Sequence, residues 1–303
     1  MHPSAESYRR WEIPQIAHFE DTPGGLVRLV VTTPRASAHI YLHGAHVTHF
    51  QPAGEKPVLF MSAASALQAG KAIRGGVPVI FPWFGGRAGH PESPAHGFAR
   101  TSLWALESLS LKPDGKVEVC LILQAGTQTR ETWPHEFLLR HRITIGRELS
   151  MALEVENRDS EPFDFEEALH TYLSVNEVRN VGTSGLAGTE YIDKVDGLKR
   201  KVQDAEPIRI TGETDRVYLS TTTTCVADDP EAGRRIEVSK EGSATTVVWN
   251  PWIAKAKAMS DFGDDDWPRM LCIETANAAE NQVTVGPGAQ HTMSATIRVL
   301  ARG

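Results

Sequence analysis

Short stretches in which hydrophobic and polar residues alternate recur along the whole chain. Examples are LVRLVVTT at 26–33, KVEVCLILQA at 116–125 and HTMSATIRVL at 291–300. Alternation with a period of two is typical of strands that bury one face. Clusters of Gly, Pro, Asn and Asp, such as KPDG and NRDSEP, separate these stretches as turns. The pattern predicts an all-β sandwich or barrel.

Helical periodicity is scarce in this sequence. The segment MSAASALQAG at 61–70 could hold a short helical turn that ends at Gly70. We find no internal repeat, no low-complexity linker and no break in composition. We therefore expect residues 1–303 to form a single domain.

Two of the predicted strands carry residues suited to acid–base chemistry. In FEEALHTYLSV, 165–175, the hydrophobic residues share one face, and His170 lies on the other, which we expect to be open. In MLCIETANA, 270–278, Glu274 has mostly apolar neighbours, and burial would raise its pKa toward that of a general base. The two residues could form an acid–base pair. Alternatively, His170 is a surface residue and Glu274 pairs with a nearby Lys or Arg.

The segment 70–100 has little periodicity and is rich in glycine, proline, aromatic residues and arginine. Ordered irregular loops on rigid scaffolds often carry function. Arg74 and Arg100 could bind a multi-oxygen anion such as phosphate, or they could pair with surface carboxylates. His96, which precedes Gly97, could reach into a pocket or cap a turn.

Two further motifs offer groups that could contact a sugar. Asp215, in ETDRVY, could accept hydrogen bonds from sugar hydroxyls or cap a turn. Trp249 and Trp252, in VVWNPW, could stack on a sugar ring, although we expect at least one of them to fill the core.

Charge and cysteine content narrow the range of partners. A net charge of -7 argues against nucleic acid as the main partner. Three scattered cysteines suggest neither a disulfide framework nor a metal site, so a reducing cytoplasm is the expected location. The N-terminal residues lack an apolar core of signal-peptide length, and no apolar run is long enough for a membrane span.

Four histidines lie close together in HIYLHGAHVTHF: His39, His43, His46 and His49. Imidazole is a common metal ligand, so a metal-dependent enzyme is one alternative. The surrounding residues favour strand, however, and a strand bent at Gly44 would divide the histidines between two faces. We therefore expect no metal site here.

Eight motifs occur in one order between residues 71 and 278. They are KAIRGGVPVIFPWFG, HGFAR, WPHEFLLR, ALHTYLSV, GLAGTEYIDK, ETDRVY, VVWNPW and CIETANA. The series resembles the glucose-6-phosphate 1-epimerase (hexose-6-phosphate mutarotase) branch of the aldose 1-epimerase superfamily.

This resemblance implies a galactose mutarotase-like β-supersandwich with few short helices, an open cleft, and neither a metal nor an organic cofactor. The implied reaction interconverts the α and β anomers of a hexose 6-phosphate, with glucose 6-phosphate as the leading candidate. The expected partner is thus a small sugar phosphate, and we expect a monomer that binds neither nucleic acid nor membranes. A non-catalytic carbohydrate-binding protein and an epimerase of unphosphorylated aldoses are the alternatives.

The resemblance also assigns roles to individual residues. His170 and Glu274 match the catalytic acid and base: Glu274, ionised, takes the C1 hydroxyl proton while His170, charged, protonates the ring oxygen. The implied substrate-binding residues are Arg74, His96, Arg100 and Asp215. His96 is expected near the reacting end of the sugar. Relatives can carry Gln immediately before HGFAR, where this chain has Ala95, so a polar contact to the substrate is expected to be absent.

Overall fold

The computed structural model describes residues 3–302, and most of its regular structure is β-strand. In chain order the strands are β1 Ala17–Asp21, β2 Val27–Thr32, β3 Ala36–Tyr41, β4 His46–Pro52, β5 Val79–Ile80, β6 Ala105–Leu111, β7 Val117–Gln124, β8 Phe137–Ile145, β9 Leu149–Asn157, β10 Phe163–Phe165, β11 Glu167–Leu169, β12 Tyr172–Ser174, β13 Gly182–Ser184, β14 Glu190–Asp193, β15 Lys199–Val202, β16 Thr214–Tyr218, β17 Cys225–Asp229, β18 Arg234–Glu241, β19 Thr245–Asn250, β20 Met270–Asn277, β21 Val283–Val285 and β22 Gln290–Ala301. The α-helices are α1 Thr127–Thr132 and α2 Trp252–Ala258. Short 3₁₀ helices span Ala5–Trp11, Ala99–Thr101, Val178–Asn180, Trp267–Arg269 and Ala279–Asn281.

Two eight-stranded antiparallel sheets dominate the fold. The first, which we call the site sheet, has the order β15-β14-β16-β19-β20-β11-β5, with β12 also paired to β20. The second sheet has the order β13-β17-β18-β22-β9-β8-β7-β6. Strands β1 to β4 form a four-stranded sheet, and β10 pairs with β21.

The two large sheets differ in how their strands are buried. In β9, buried positions alternate with half-exposed ones, as expected for a sheet with one solvated face. In β20, by contrast, every residue is buried. The site sheet is therefore covered on both faces around β20, and a polar side chain on this strand is held away from bulk water.

One apolar core includes residues from Ala17 to Ile297 and draws on both large sheets. Its largest side chains include Trp104, Phe81 and Phe137. The ring of Phe81 packs against Phe137 and Phe165, whose centroids both lie 5.4 Å away. This aromatic cluster anchors the segment 70–100 to the sheets, so the irregular loop has a rigid base.

The predicted helical turn at 61–70 is wrong. The segment forms a β-bridge at Met61 followed by turns and bends. Its serines use their side chains on nearby groups: the Ser65 hydroxyl accepts the backbone N–H of Arg74 at 2.8 Å, and the Ser62 hydroxyl donates to Asp266 at 2.9 Å. Such hydrogen bonds compete with helix formation.

The prediction of one strand through 165–175 with an open polar face is also wrong. Three short strands, β10, β11 and β12, replace it, and His170 lies in the break between the last two. The expected hydrophobic face is buried, but His170 and Tyr172 are buried too, at 7% and 1% exposure. The polar face is therefore covered at His170 and Tyr172, whereas Glu166 and Ser174 stay partly exposed.

The strands predicted around the four histidines at 39–49 are present as β3 and β4, joined by a bend at Gly44. Within residues 3–302 these histidines form no metal-binding group. His43 and His46 contact the backbone carbonyls of Lys71 and Gly75, both at 2.7 Å. All three cysteines are free and buried.

Among residues 3–302 we find no helix of the length and apolar character that a membrane span requires.

Candidate active site

The centre of the site sheet brings two predicted residues into contact. Glu274 lies in the middle of β20, and His170 lies between β11 and β12, which both pair with β20. The backbone N–H of His170 donates to the carbonyl of Pro78 at 3.0 Å, which fixes the chain at this break. The imidazole Nε2 then lies 3.3 Å from Glu274 Oε1.

Aromatic rings hold the imidazole of His170 in place. It stacks on Tyr172 with ring centroids 4.7 Å apart and an angle of 12° between the planes. Trp249 and His96 meet it edge-on, with centroids at 6.0 and 5.8 Å. A ring packed on three sides keeps one orientation, as an acid–base group needs.

Burial shifts the proton affinities of the pair in opposite directions. Burial, together with the charge of Asp215, raises the pKa of Glu274 well above its ordinary value. Burial and the positive charges of Arg74 and Arg100 lower the pKa of His170 well below 6.5. Both shifts favour the uncharged pair, with the mobile proton on Glu274. The predicted mechanism starts instead from the charged pair, which forms when this proton moves from Glu274 to His170.

Arg74 is fixed at one side of the cleft by two partners. Its Nε and Nη2 donate to Asp261 Oδ2 at 3.2 and 3.0 Å, and its Nη1 donates to the Tyr172 hydroxyl at 2.9 Å. Burial acts to lower the pKa of Arg74, but these contacts outweigh burial and raise the pKa above its ordinary value. Arg74 is thus a permanent cation that also steadies the ring stacked on His170.

Arg100 has fewer partners. Its Nη2 donates to the carbonyl of Ala95 at 2.7 Å, whereas its buried Nε has no hydrogen-bond partner. Burial and the charge of Arg74 lower the pKa of Arg100 to about 10. Arg100 therefore stays cationic at neutral pH and keeps donors for a ligand.

Gly97 explains the position of the HGFAR segment. It has a φ of +69°, and a Cβ there would lie 2.0 Å from the carbonyl oxygen of Phe81. Only glycine allows this approach. The neighbouring His96 accepts the backbone N–H of Gly85 at Nδ1, at 3.2 Å, so its Nε2 carries the proton. Burial and nearby cations lower the pKa of His96 to about 3, which keeps the imidazole neutral.

Asp215 lies on β16, which β19 and β20 separate from β11. Its Oδ2 is 3.6 Å from the ammonium nitrogen of Lys194. Burial raises the pKa of Asp215, and the charge of Lys194 opposes that shift. Lys194 also lies over the ring of Phe84, 5.6 Å from its centroid.

All six predicted site residues line one cleft of about 300 Å³. Its lining comprises Arg74, Phe84, Ala95, His96, Arg100, His170, Lys194, Asp215, Val247, Trp249, Lys255, Met259 and Glu274. Two larger grooves, of about 690 and 750 Å³, lie elsewhere, and neither is lined by a histidine. Chemistry rather than size therefore identifies the site.

Sequence reasoning missed two cations of the cleft. Lys194 ends the motif GLAGTEYIDK, and Lys255 lies in α2, just after the motif VVWNPW. Their positions in or next to motifs that carry site residues could have indicated that they line the cleft. Of the two tryptophans, Trp249 lines the cleft, whereas Trp252 packs on Trp267 with centroids 4.2 Å apart.

A third potential ligand lies beside the acid–base pair. Cys272 is on β20, two residues before Glu274, so both side chains point to the same face of the strand. One potential ligand atom from each of His170, Cys272 and Glu274 lies within 4.8 Å of the others. No other group of this kind occurs in residues 3–302.

Taken together, the buried acid–base pair, the carboxylate of Asp215 and the cations around them suit proton transfer on a small, polar, anionic molecule. The antiparallel β-sandwich and its cleft place the protein in the class of enzymes with a galactose mutarotase-like fold. The chain belongs to the aldose 1-epimerase family, whose model matches residues 28–298.

Curated relatives and a solved structure agree with this assignment. A protein of Escherichia coli K12, provisionally named glucose-6-phosphate 1-epimerase, is 37% identical over 90% of this chain and 90% of its own length. A protein of Cenchrus ciliaris with the same name is 36% identical over 90% of this chain and 84% of its own. The crystal structure of a provisionally named mutarotase from Salmonella typhimurium superposes with a TM-score of 0.90, at 33% identity over 96% of both chains. The predicted fold class and family are confirmed.

Proposed function

We propose that the protein is a mutarotase that interconverts the α and β anomers of hexose 6-phosphates, with glucose 6-phosphate as the leading substrate. The observation that carries this proposal is the 3.3 Å contact between His170 Nε2 and Glu274 Oε1, inside a cleft that also presents Arg74 and Arg100. The names of the relatives support the same reaction and substrate.

Anomer exchange requires one acid and one base at adjacent oxygens. Ring opening removes the proton of the C1 hydroxyl and protonates the ring oxygen as the bond from C1 to that oxygen breaks. We assign Glu274 as the base and His170 as the acid. Rotation about C1–C2 then presents the other face of the aldehyde, and the two proton transfers reverse. Each group contributes about 10²–10⁴-fold.

A phosphorylated substrate would itself prepare this pair. Burial is the main cause that lowers the pKa of His170, and the charges of Arg74 and Arg100 lower it further, so a phosphate bound to the two arginines offsets that further part. The proton of Glu274 can then move to His170, which gives the charged pair that opens the ring. Phosphate anchoring thus assists catalysis through electrostatics as well as position.

The remaining lining residues suit the hydroxyls of a sugar. Asp215 accepts hydrogen bonds, the Nε2–H of His96 donates one, and Trp249 offers an aromatic edge and face. We place the reacting end of the sugar near His96 and His170, whose ring centroids are 5.8 Å apart. At Ala95 the short side chain leaves room where relatives can carry Gln.

The test is anomer exchange at equilibrium, measured by NMR on glucose 6-phosphate and on glucose. We expect exchange far above the spontaneous rate for the native protein, and rates close to spontaneous for His170→Ala and Glu274→Gln. His90→Ala is the matched control, because His90 is exposed beside Glu92.

Circular dichroism must show that each variant is folded. Sugar binding without exchange by the native protein would identify a carbohydrate-binding protein instead. Equal rates on both sugars would identify an epimerase of unphosphorylated aldoses.

Three further statements belong to this proposal. The chain forms one domain, supported by the core that extends from Ala17 to Ile297. It works in the cytoplasm, supported by three free cysteines. It acts as a monomer on a small sugar phosphate, without nucleic acid as a partner.

A further inference from the structure

We propose that His170, Cys272 and Glu274 together bind a thiophilic divalent cation such as Zn²⁺ or Cd²⁺, and that the bound ion blocks the cleft. The ion acts as a reversible inhibitor and not as a cofactor. Its binding goes beyond the proposed mutarotation, which makes no use of Cys272.

The geometry of the three side chains suits a tetrahedral ion. Two ligand atoms about 2.0–2.2 Å from Zn²⁺ at the tetrahedral angle lie about 3.4 Å apart. The distance between His170 Nε2 and Glu274 Oε1 is 3.3 Å. Because the Cys272 ligand atom lies within 4.8 Å of both, a small side-chain movement would complete three protein ligands. The fourth position would face the cleft.

The backbone presents the set firmly. Cys272 and Glu274 share one face of β20, which pairs with β12 on one side and β19 on the other. Cys272 is the register partner of both Tyr172 and Trp249, the rings that hold His170. All three ligands therefore belong to one rigid part of the site sheet.

Unsatisfied polar atoms point to a ligand at this place. Glu274 Oε2 is buried, on a side chain that is only 1% exposed, and it has no hydrogen-bond partner. A buried oxygen without a partner is costly, and a cation that the carboxylate binds through both of its oxygens would satisfy it. Glu274 lines the cleft, so a small ion can reach the carboxylate from solvent.

The donor set selects among cations. Thiolate and imidazole favour Zn²⁺, Cd²⁺ or Co²⁺, whereas Mg²⁺ and Ca²⁺ prefer oxygen ligands. An ion at this site occupies the Nε2 of His170 and an oxygen of Glu274, the atoms assigned to the acid and the base. Inhibition should therefore be competitive with the sugar.

The experiment is a titration of the native protein with Co²⁺, which reports thiolate ligation by a charge-transfer band in the near ultraviolet. We expect one ion per chain, displaced by Zn²⁺ or Cd²⁺. In Cys272→Ser and Cys272→Ala the band should disappear and the affinity should fall at least about tenfold, since even loss of an outer-shell partner costs about 10–100-fold. Cys225→Ala is the matched control, because Cys225 is an equally buried thiol on β17 of the second sheet.

Two results would overturn the proposal: a native protein without the band, or Cys272 variants that bind Co²⁺ as tightly as the native protein. Inhibition is measured separately, as the ratio of exchange rates with and without Zn²⁺ for each variant, so that any change in the basal rate cancels. The band does not depend on turnover. A protein that shows the band without anomer exchange would refute the proposed function and leave the metal site standing.

Discussion

Arg74 and Arg100 line the same cleft, but their surroundings give them different tasks. Arg74 is bound on two sides, by Asp261 and by the hydroxyl of Tyr172, whose ring stacks on His170. Arg100 keeps an unpartnered Nε and a single hydrogen bond to a backbone carbonyl. Arg100 is therefore the more available phosphate ligand, whereas Arg74 both adds charge and holds the ring behind the acid.

Replacing each arginine with alanine should separate these tasks. For Arg100→Ala, we expect a loss of about 10–100-fold in kcat/KM for glucose 6-phosphate, as expected for a charge-assisted hydrogen bond of about 1.5–3 kcal/mol, and little change for glucose. For Arg74→Ala, both sugars should lose activity, because Tyr172 and the stacked imidazole lose their support. NMR exchange rates at several substrate concentrations provide the measurement.

Arg87→Ala is the control for these variants. Arg87 lies in the same loop but packs over Trp83 and donates to the carbonyl of Thr132, outside the cleft lining. It should retain the native preference for the phosphorylated sugar. An Arg100→Ala variant with the same losses on both sugars would remove Arg100 from phosphate binding.

At the scale of elements, periodicity predicted β20 well and the segment 165–175 poorly. The strand β20 is regular over Met270–Asn277, so alternation placed Glu274 on the right face. Around His170 the strand is interrupted, and the backbone N–H of His170 donates to the carbonyl of Pro78. A contact between segments so distant in sequence leaves no local pattern. All six residues predicted from the motifs line one cleft. Lys194, Lys255 and the stacking of His170 on Tyr172 were not predicted, because they depend on how distant segments pack together.

The HGFAR turn offers a prediction about an element that positions the site. Gly97→Ala places a methyl group 2.0 Å from the carbonyl oxygen of Phe81, at a φ of +69°. The strained backbone alone costs about 1–3 kcal/mol. We expect a lower melting temperature and a fall in kcat/KM of about 100-fold, since displacing His96 and Arg100 by about 1 Å is enough for that loss.

Gly86→Ala is the matched control, because Gly86 belongs to the same irregular segment and a Cβ there meets nothing within 4 Å. Its thermal unfolding and its exchange rate should match those of the native protein. If Gly97→Ala also behaved like the native protein, the turn would not depend on glycine for its shape.

At the scale of the whole molecule, a buried polar cluster joins the two large sheets behind the active site. Glu167, on β11, accepts a hydrogen bond from Asn277 on β20 at 2.8 Å and contacts His291 on β22 at 3.0 Å. Glu167 is the register partner of Asn277, so the cluster lies on the same strands that carry the acid–base pair. The cluster connects the two sheets through polar contacts, as the core connects them through apolar packing.

The cluster should make stability depend on pH in a defined direction. The hydrogen bond to Glu167 is the main cause that raises the pKa of His291 above 6.5, and burial raises the pKa of Glu167, so both shifts favour the protonated pair. The contribution of His291 is therefore fully present below pH 6.5 and is lost as the pH rises through the higher pKa of the folded state. His291→Gln should lower the free energy of unfolding by about 1.5–3 kcal/mol below that pH, the range for a hydrogen bond to a charged group, and by less above it. Urea unfolding of both proteins across the pH range measures the difference.

His90→Gln, which alters only an exposed pair with Glu92, should change little at any pH. A difference between native protein and His291→Gln that stays constant with pH would show that the histidine links the sheets by packing rather than by charge.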